Sequence, residues 1–339
     1  MKSIFELYNW DVIAVKQLHQ GLINSTYFIN TSTGEYILQT INHHIFKDPL
    51  AIDTNINKLG AHLKKYAPNY LFTHLIPTKN GNTLIEWEGR YYRAFHKIDA
   101  YSLSVLDNPR QAEEASRQFG KFTQALSEFD IHELKITLPN FHNLTLRYQQ
   151  FLEATEGGNT KRIEQAKDEI AYLKSNKKIV DRFELFIAHE STKLRVTHHD
   201  TKISNVLFNK ENGIEKAICV IDLDTLMPGY FISDVGDMCR TYLCKVTEEE
   251  QDLNLVQIEK SRWDHLKNGY LSEMQNTLSN FELDHFIFAG QFMIYMQALR
   301  FLTDHLNNDI YYGAKYDGQN YVRAINQIEL LKKYNESIV

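Results

Sequence analysis

The chain has 339 residues, a net charge of −6, and 43% hydrophobic and 12% aromatic residues. A chain of this length and composition can bury a substantial core, and we expect two domains or lobes. The negative charge gives no global basic field for nucleic acid or an anionic membrane surface. No apolar run reaches the length of a membrane span, and the start of the chain does not have the pattern of a signal peptide. We therefore expect a cytoplasmic protein with no nucleic-acid or membrane partner.

The first 98 residues have the pattern of an antiparallel sheet with one inserted helix. A helix is predicted to begin after Asp48, which can cap it, with Pro49 at its first position. Its apolar stripe consists of Ile52, Ile56, Leu59 and Leu63. Strands are predicted at 12–18, 26–30, 35–41, 73–78, 83–87 and 91–96.

Helical patterns dominate the rest of the chain. An apolar stripe follows Asn108-Pro109, a strongly apolar helix covers 286–306, and an amphipathic helix ends the chain. Residues 227–229 are predicted to form a turn. We expect an α+β protein with a small antiparallel-sheet N-lobe at 1–98 and a larger, mainly helical C-lobe at 99–339.

The richest polar pattern lies between residues 196 and 237. Two short apolar runs, 206–208 and 217–221, flank Asn212-Gly213, which predicts a β-hairpin. Polar side chains gather at the mouth of that hairpin: His198, Asp200, Lys202 and Asn205 come before it, and Asp222 and Asp224 come after it. Such a site can deprotonate a hydroxyl with one aspartate and hold a divalent metal ion with the other aspartate and the asparagine.

Other interpretations of these residues remain open. A histidine beside an aspartate is commonly a hydrogen-bonded core pair. A zinc site from His198, His199 and Asp200 is a second alternative, but adjacent histidines on an extended segment point to opposite faces. No CxxC or HExxH motif accompanies them.

The order His198-x-Asp200-x-x-x-x-Asn205, followed by a strand ending in Asp222, resembles the catalytic loop and metal site of protein kinases. His-His-Asp in place of His-Arg-Asp, and Leu223-Asp224 in place of Phe-Gly, resemble the aminoglycoside phosphotransferase and choline kinase-like family. Within that family, the run from His198 to Tyr242 is most similar to the N-acetylhexosamine 1-kinases. The resemblance implies a two-lobed protein-kinase-like fold and ATP- and Mg2+-dependent phosphoryl transfer.

The resemblance also implies roles for single residues. Asp200 would be the base, and Asn205 and Asp222 would hold Mg2+. Lys202 would neutralise charge on the transferred phosphoryl group, and Asp224 would bind either metal or sugar. The resemblance gives His198 and Asp234 structural roles beside this site.

In the N-lobe, the resemblance implies that the Gly21 loop and Asn24 cover the nucleotide, with Ala94 and His96 in the segment that contacts adenine. Gln39 occupies the third strand where a phosphate-binding lysine is expected. The following helix offers Thr54 and Asn55 where the glutamate partner of that lysine would lie. Either Mg2+ carries more of the phosphate charge or a lysine such as Lys47 reaches the site.

The acceptor is expected to be a small hydroxylated compound, an amino sugar by resemblance. Arg300, in the apolar 286–306 helix, requires a partner, and both a structural carboxylate and bound substrate suit it. Tyr311 can stack on a sugar ring. An aminoglycoside, choline or homoserine is the alternative acceptor, and a nucleotide-binding module without catalysis is the alternative from another class. No GxxxxGK[ST] motif supports a Walker-type NTPase.

Overall fold

A five-stranded antiparallel sheet forms the first part of the protein. In this computed structural model, which describes residues 1–18 and 23–339, a short helix α1 (Lys2–Leu7) precedes the sheet. The strands are β1 (Val12–Leu18), β2 (Ser25–Thr31), β3 (Gly34–Ile41), β4 (Ile85–Trp87) and β5 (Arg90–His96). They pair in the order β1-β2-β3-β5-β4. The sheet and α1 share a small core of their own, composed of Ile4, Tyr8, Ile29, Leu38, Ile85, Tyr92 and Ala94.

The register between β3 and β5 determines which side chains share a face of this sheet. Leu38 lies opposite Ala94, and Gln39 lies opposite Arg93. Because successive side chains alternate between faces, Leu38 and Ala94 point into the small core while Gln39 and Arg93 project from the other face.

Two predicted elements differ from the structure. The segment 73–78 is not a strand; it makes a single bridge, between Leu75 and Phe95. Pro77 lacks the N–H group that a ladder of hydrogen bonds requires. The predicted turn at 227–229 is instead a short strand, which pairs antiparallel with Arg195–Thr197.

Helix α2 (Pro49–Tyr66) begins as predicted. The Asp48 side chain accepts a hydrogen bond from the backbone N–H of Ala51 at 3.0 Å, and Pro49 occupies the first turn. The four residues of its apolar stripe are buried, in the same cluster as the core of the helical lobe and not in the small core of the sheet: Ile52, Ile56, Leu59 and Leu63.

Asn55 attaches α2 to the helical lobe by its side chain. Its amide nitrogen donates to the carbonyl oxygens of Lys135 at 2.8 Å and Leu226 at 2.9 Å. Its amide oxygen accepts from the backbone N–H of Lys135 at 2.8 Å. Asn55, where the resemblance expected a glutamate nearby, therefore fixes the helix to backbone close to the predicted metal site.

The C-lobe is mainly helical, as predicted. Its helices are α3 (Pro109–Ala125), α4 (Leu144–Gly157), α5 (Thr160–Gln165), α6 (Lys167–Ser175), α7 (Lys178–Ala188), α8 (Phe231–Tyr242), α9 (Lys260–Met274), α10 (Asn280–Asp284), α11 (Phe286–Leu306) and α12 (Gln319–Ser337). Helix α11 has the predicted bounds and packs against α4, α8 and α12. It is apolar on most of its circumference because it lies in the centre of the lobe.

Five short strands accompany these helices: β6 (Tyr101–Ser102), β7 (Arg195–Thr197), β8 (Val206–Glu211), β9 (Ile214–Val220) and β10 (Met227–Gly229). Strands β8 and β9 form the predicted hairpin around Asn212-Gly213. Both turn residues have positive φ, 53° and 79°, which is the requirement of a two-residue turn of type I′. The open end of the hairpin lies next to the polar residues of the loop that follows β7.

The three cysteines, Cys219, Cys239 and Cys244, are buried and unpaired. In the described ranges, 1–18 and 23–339, no helix combines the length and apolarity needed to cross a membrane.

Candidate active site

Two buried carboxylates of α8 hold the loop after β7, and one of them, Asp237, accepts the backbone N–H of Thr201 at 2.8 Å. Asp234, in the first turn of α8, accepts the backbone N–H groups of His198 at 3.0 Å and His199 at 2.7 Å. His199 has a left-handed backbone, with φ of 66°. Burial raises the pKa of Asp234 to about 7, although the two N–H groups oppose this shift. Asp234 thus fixes the backbone from which Asp200 projects.

The two histidines of this loop bond to backbone atoms. His198 accepts from the N–H of Asp200 at 3.3 Å and places its other ring nitrogen 3.0 Å from the carbonyl oxygen of Ile221. Burial lowers the pKa of His198, so the neutral ring donates to Ile221. His198 therefore joins the loop to the end of β9, directly before Asp222.

His199 does not share a ligand position with His198. Its Nδ1 lies 3.1 Å from the carbonyl oxygens of both Thr197 and Thr225, and burial lowers its pKa to about 4. Within the described ranges, no group of three His, Cys, Asp or Glu side chains is arranged to hold a metal ion. The zinc interpretation of His198, His199 and Asp200 has no support in this geometry.

Asp200 and Lys202 form the central ion pair of the site. The Nζ of Lys202 lies 2.8 Å from Oδ2 of Asp200 and 3.9 Å from Oδ2 of Asp222. Burial acts to raise the pKa of Asp200, but the charge and hydrogen bond of Lys202 outweigh it and lower that pKa. Burial likewise opposes the charged form of Lys202, and the two aspartates outweigh it and raise the pKa of the ammonium group. Both groups are therefore ionised at neutral pH.

Asn205 and Asp222 supply further oxygen donors next to the Asp200–Lys202 pair. The amide nitrogen of Asn205 donates to the carbonyl oxygen of Asp200 at 2.9 Å, which leaves its amide oxygen as the acceptor. Asp222 follows β9 with a left-handed backbone, φ of 63°. Burial, Asp224 and Asp200 raise the pKa of Asp222 to about 6, with Lys202 and Arg93 opposing. Accumulated negative charge and hard oxygen donors fit a cation such as Mg2+.

Asp224 lies on the N-lobe side of this turn. Its carboxylate pairs with the guanidinium of Arg93 and accepts a hydrogen bond from the amide of Asn24 at 2.6 Å. Gln39 is directed at the same arginine: its Oε1 accepts from Nε of Arg93 at 3.0 Å and from Nη2 at 2.8 Å. The structure thus brings Asn24, Gln39 and Asp224 together around Arg93, which the sequence analysis did not single out. The position of Arg93 on a strand was predictable, because it lies within the predicted strand at 91–96.

Of the other predicted nucleotide-binding residues, Ala94 and His96 do not join this group. Ala94 is buried in the sheet, and its carbonyl oxygen accepts the N–H of Ile76 at 2.9 Å. His96 is exposed, with its ring centroid 5.4 Å from that of Tyr36. Lys47 is exposed as well. Gly21 lies outside the described residues.

An aromatic and basic cluster adjoins the loop after β7 on the C-lobe side. The guanidinium carbon of Arg300 lies between 5.3 and 5.7 Å from the ring centroids of Phe141, Tyr311 and Tyr312. Arg300 also donates to Gln297 at 2.8 Å and to the Tyr311 hydroxyl at 3.3 Å. The predicted acceptor residues Arg300 and Tyr311 therefore lie together. Phe141 connects them to the loop, since its ring centroid is 6.3 Å from that of His199.

Two further members of this cluster, Arg147 and His142, were missed in the sequence. Burial lowers the pKa of Arg147, and the nearby charge of Arg300 lowers it further. The His142 ring lies 5.2 Å from that of His199. No carboxylate pairs with Arg147 or Arg300 in the described part of the chain. Three buried polar atoms also have no hydrogen-bond partner there: Nε of Arg147, Nδ1 of His142 and the hydroxyl of Tyr312.

Comparison with known proteins gives a consistent family and fold. A sequence model of the "Phosphotransferase enzyme family" matches residues 14–267. Three solved structures align over nearly the whole chain. A microcompartment-associated aminopropanol kinase has a TM-score of 0.68 at 14% identity and covers 99% of this chain and 97% of its own.

The second is the amicoumacin kinase hAmiN, in complex with AMP-PNP, Ca2+ and Ami. It has a TM-score of 0.64 at 14% identity and covers 98% of this chain and 92% of its own. The third is a spectinomycin phosphotransferase in complex with ADP and spectinomycin, with a TM-score of 0.63, 11% identity, and coverage of 99% and 97%. These likenesses confirm the predicted two-lobed, protein-kinase-like fold.

Proposed function

Because the chain belongs to the phosphotransferase enzyme family, we propose that this small-molecule kinase transfers the γ-phosphoryl group of ATP to the anomeric hydroxyl of an N-acetylhexosamine. The Asp200–Lys202 pair, placed between Asn205 and Asp222, is the observation that carries the chemistry. The arginine-rich cluster beside it supports the class of acceptor.

Asp200 takes the proton of the acceptor hydroxyl. The acceptor oxygen forms a bond to the γ-phosphorus, the bond between that phosphorus and the β–γ bridging oxygen breaks, and ADP leaves. Lys202 keeps Asp200 ionised before the reaction. Its ammonium group also neutralises the negative charge that develops on the transferred phosphoryl group. Because the anomeric hydroxyl is more acidic than the other ring hydroxyls, a carboxylate is a sufficient base, and positioning supplies much of the catalysis.

Asn205 and Asp222 would hold the metal ion, since their free oxygen donors adjoin the same carboxylate cluster. Bound Mg2+ would neutralise charge on the phosphate groups of ATP. Asp224 is already engaged by Arg93 and Asn24, so we assign it to lobe contact and not to metal or sugar.

The acceptor class follows from the charges of the cluster. Arg147 and Arg300 repel each other and have no carboxylate among the described residues, so a cationic acceptor would add to an uncompensated positive charge. A neutral sugar instead offers hydroxyl and acetamido oxygens as hydrogen-bond acceptors. The unpaired atoms of Arg147, His142 and Tyr312 are the kind of polar group that such a ligand can satisfy, directly or through water.

The same observation favours one second candidate. A carboxylate-bearing hydroxy compound such as homoserine would also pair with two arginines. Choline and the aminoglycosides carry only positive charge and lack this complementarity, although related structures include aminoglycoside kinases. Sugars and hydroxy amino acids are therefore the two acceptor classes to compare.

A panel assay of ADP release tests the proposal. It contains N-acetylglucosamine, N-acetylgalactosamine, glucose, galactose, homoserine, choline and kanamycin at one ATP and Mg2+ concentration. We expect the N-acetylated sugars to exceed the plain hexoses in kcat/KM, because a pocket that bonds the acetamido group leaves buried polar atoms unpaired without it. Phosphorus NMR should show coupling to the anomeric proton. Turnover only with choline or kanamycin, or an acid-stable product that is still reducing, would overturn the acceptor assignment.

A further inference from the structure

The N-lobe has no lysine at the third-strand position that the kinase resemblance requires, yet a buried cation lies directly across from that position. Arg93 on β5 is paired in register with Gln39 on β3, and both project from the same face of the sheet. Only 1% of the Arg93 side chain is exposed. Burying a guanidinium is costly unless it is paired, so its partners indicate what the residue does.

Those partners belong to both lobes. Gln39 uses its amide oxygen to hold Nε and Nη2 of Arg93, and donates its own amide N–H to the Thr26 hydroxyl at 3.3 Å. Arg93 in turn pairs with Asp224, whose side chain is 2% exposed. A neutral glutamine beside an arginine is therefore an acceptor for the cation and not its replacement.

Asn24, which directly precedes β2, reaches the same carboxylate. Asn24 donates to Oδ2 of Asp224 at 2.6 Å and accepts the backbone N–H of Asn42 at 2.9 Å. Side chains from two separate N-lobe segments, Arg93 and Asn24, therefore contact one C-lobe carboxylate, and Gln39 from a third segment holds Arg93. That carboxylate is two residues beyond Asp222, on the other side of a turn that begins with a left-handed residue.

We propose that Arg93 is the N-lobe cation of this kinase and acts as a positioning residue: its ion pair with Asp224 fixes the nucleotide-covering sheet over the metal-binding turn. The pair replaces the strand-to-helix lysine–glutamate pair expected from the resemblance. Helix α2 does not supply the partner, because Asn55 binds the C-lobe backbone at Leu226. The inference rests on the proposed ATP and Mg2+ dependence and goes beyond it by assigning the residue that aligns the two lobes.

Moving the positive charge from residue 93 to the cross-strand residue 39 gives the sharpest test. Arg93→Gln removes the cation, and the double variant Arg93→Gln with Gln39→Lys returns a positive charge from the neighbouring strand on the same face. Calorimetric titration with AMP-PNP, with and without Mg2+, measures nucleotide affinity without reference to any acceptor. Thermal unfolding of each variant is measured in parallel.

We expect Arg93→Gln to weaken Mg2+-dependent AMP-PNP binding by on the order of tenfold or more. The double variant should recover most of that loss. Turnover should fall further, by on the order of 10²-fold, because displaced groups near the reacting centre are costly. Asp224→Asn, which keeps the shape of the side chain, should resemble Arg93→Gln. Their combination should lose no more than the worse single variant, since both remove the same ion pair.

Arg262→Gln is the matched control. Arg262 is a buried arginine with a carboxylate partner, Glu259 at 2.9 Å, on α9 in the C-lobe. We expect it to lower the unfolding temperature while leaving AMP-PNP affinity unchanged. If Arg93→Gln does no more than this, or if its effect adds fully to that of Asp224→Asn, the proposal is wrong.

Further variants test the proposal if Arg93→Gln does not fold, and AMP-PNP binding by the unmodified protein separates failure of the proposal from failure of the proposed function. Should Arg93→Gln fail to fold, Arg93→Lys and Asp224→Asn carry the test, with the lysine variant expected to retain more affinity than the asparagine variant; the reverse order overturns the proposal. Absence of Mg2+-dependent AMP-PNP binding by the unmodified protein would instead overturn the proposed function itself.

Discussion

The ammonium group of Lys202 lies 2.8 Å from the carboxylate of Asp200, so the proposed base is paired before any substrate arrives. The pair lowers the pKa of Asp200 and keeps it ionised at neutral pH. The same Nζ lies 3.9 Å from Oδ2 of Asp222, so Lys202 interacts with both the proposed base and the proposed metal ligand. A base with a lowered pKa is a weak base, which is consistent with an acceptor hydroxyl that is itself acidic.

Asp200→Asn tests the base directly. The substitution keeps the shape and hydrogen-bonding capacity of the side chain but cannot take a proton. We expect turnover to fall by on the order of 10²–10⁴-fold, the usual contribution of a general base. AMP-PNP affinity measured by calorimetry should change little. Near-normal turnover would remove Asp200 from this role.

Asp222→Ala tests the metal ligand. The variant loses a hard anionic oxygen, so activity should collapse and excess Mg2+ should recover little of it. His198→Ala is the comparison, because the ring of His198 bonds only to backbone atoms of the loop and of Ile221. A larger loss of activity in a folded His198 variant than in the Asp222 variant would contradict the assignment.

The pH dependence of Mg2+ binding follows from the raised pKa of Asp222, about 6. Protons and Mg2+ compete for this carboxylate, so acid weakens metal binding. Between pH 7.5 and 5, Mg2+ affinity should fall about tenfold on account of this group. In the absence of metal, the free energy of unfolding depends on pH in the opposite direction. A carboxyl group whose pKa is raised by folding favours the folded state at low pH, and this contribution is lost as the pH rises through about 6.

The increase in unfolding temperature on adding Mg2+ and AMP-PNP measures this competition. We expect a larger increase at pH 7.5 than at pH 5. Asp222→Asn should abolish most of the difference between the two pH values. An equal increase at both values in the unmodified protein would show that Asp222 does not titrate in this range.

Arg147 and Arg300 are expected to act on the acceptor and not on the nucleotide. Arg300→Ala should raise KM for the sugar more than it changes AMP-PNP affinity, and Arg147→Gln should do the same. Arg182→Gln is the control, since Arg182 is a half-buried arginine that stacks on Phe288 at 4.7 Å. If all three variants behaved alike, the Arg147–Arg300 cluster would have no special role.

The β8–β9 hairpin was predictable because its information is local. Asn212-Gly213 specifies the turn, and the spacing from His198 to Asp222 brings the polar ends together. The alignment of Arg93 with Gln39 depends on which strands are neighbours, and β5 follows β3 in the sheet although α2 and β4 separate them in the chain. Strand patterns predict that strands exist but do not give their order.

Arg147 illustrates a second limit. On a helix surface an arginine normally finds solvent or a nearby carboxylate, so nothing in the periodicity of α4 marks it. Its place beside Arg300 appears only in the structure, where α11 brings the two arginines together with no carboxylate partner among the described residues. In the segment 73–78, by contrast, the sequence predicted an element that does not form. Its β-branched and apolar residues favoured a strand, but Pro77 and the local hydrogen bonds prevent it.

The attachment of α2 has a mechanical consequence for opening of the cleft. The apolar face of α2 belongs to the C-lobe core, and Asn55 adds three hydrogen bonds to C-lobe backbone. The sheet has a small core of its own and contributes only Ile41 and Phe95 as buried members of the larger core. We therefore expect the two parts to separate between the sheet and α2, and opening has to release the Arg93–Asp224 and Asn24–Asp224 contacts. We expect the sheet to swing as a rigid body during nucleotide exchange while α2 stays with the large lobe. Hydrogen exchange should then show α2 amides protected to the same degree with and without nucleotide, and the amides of 25–41 protected more strongly when nucleotide is bound.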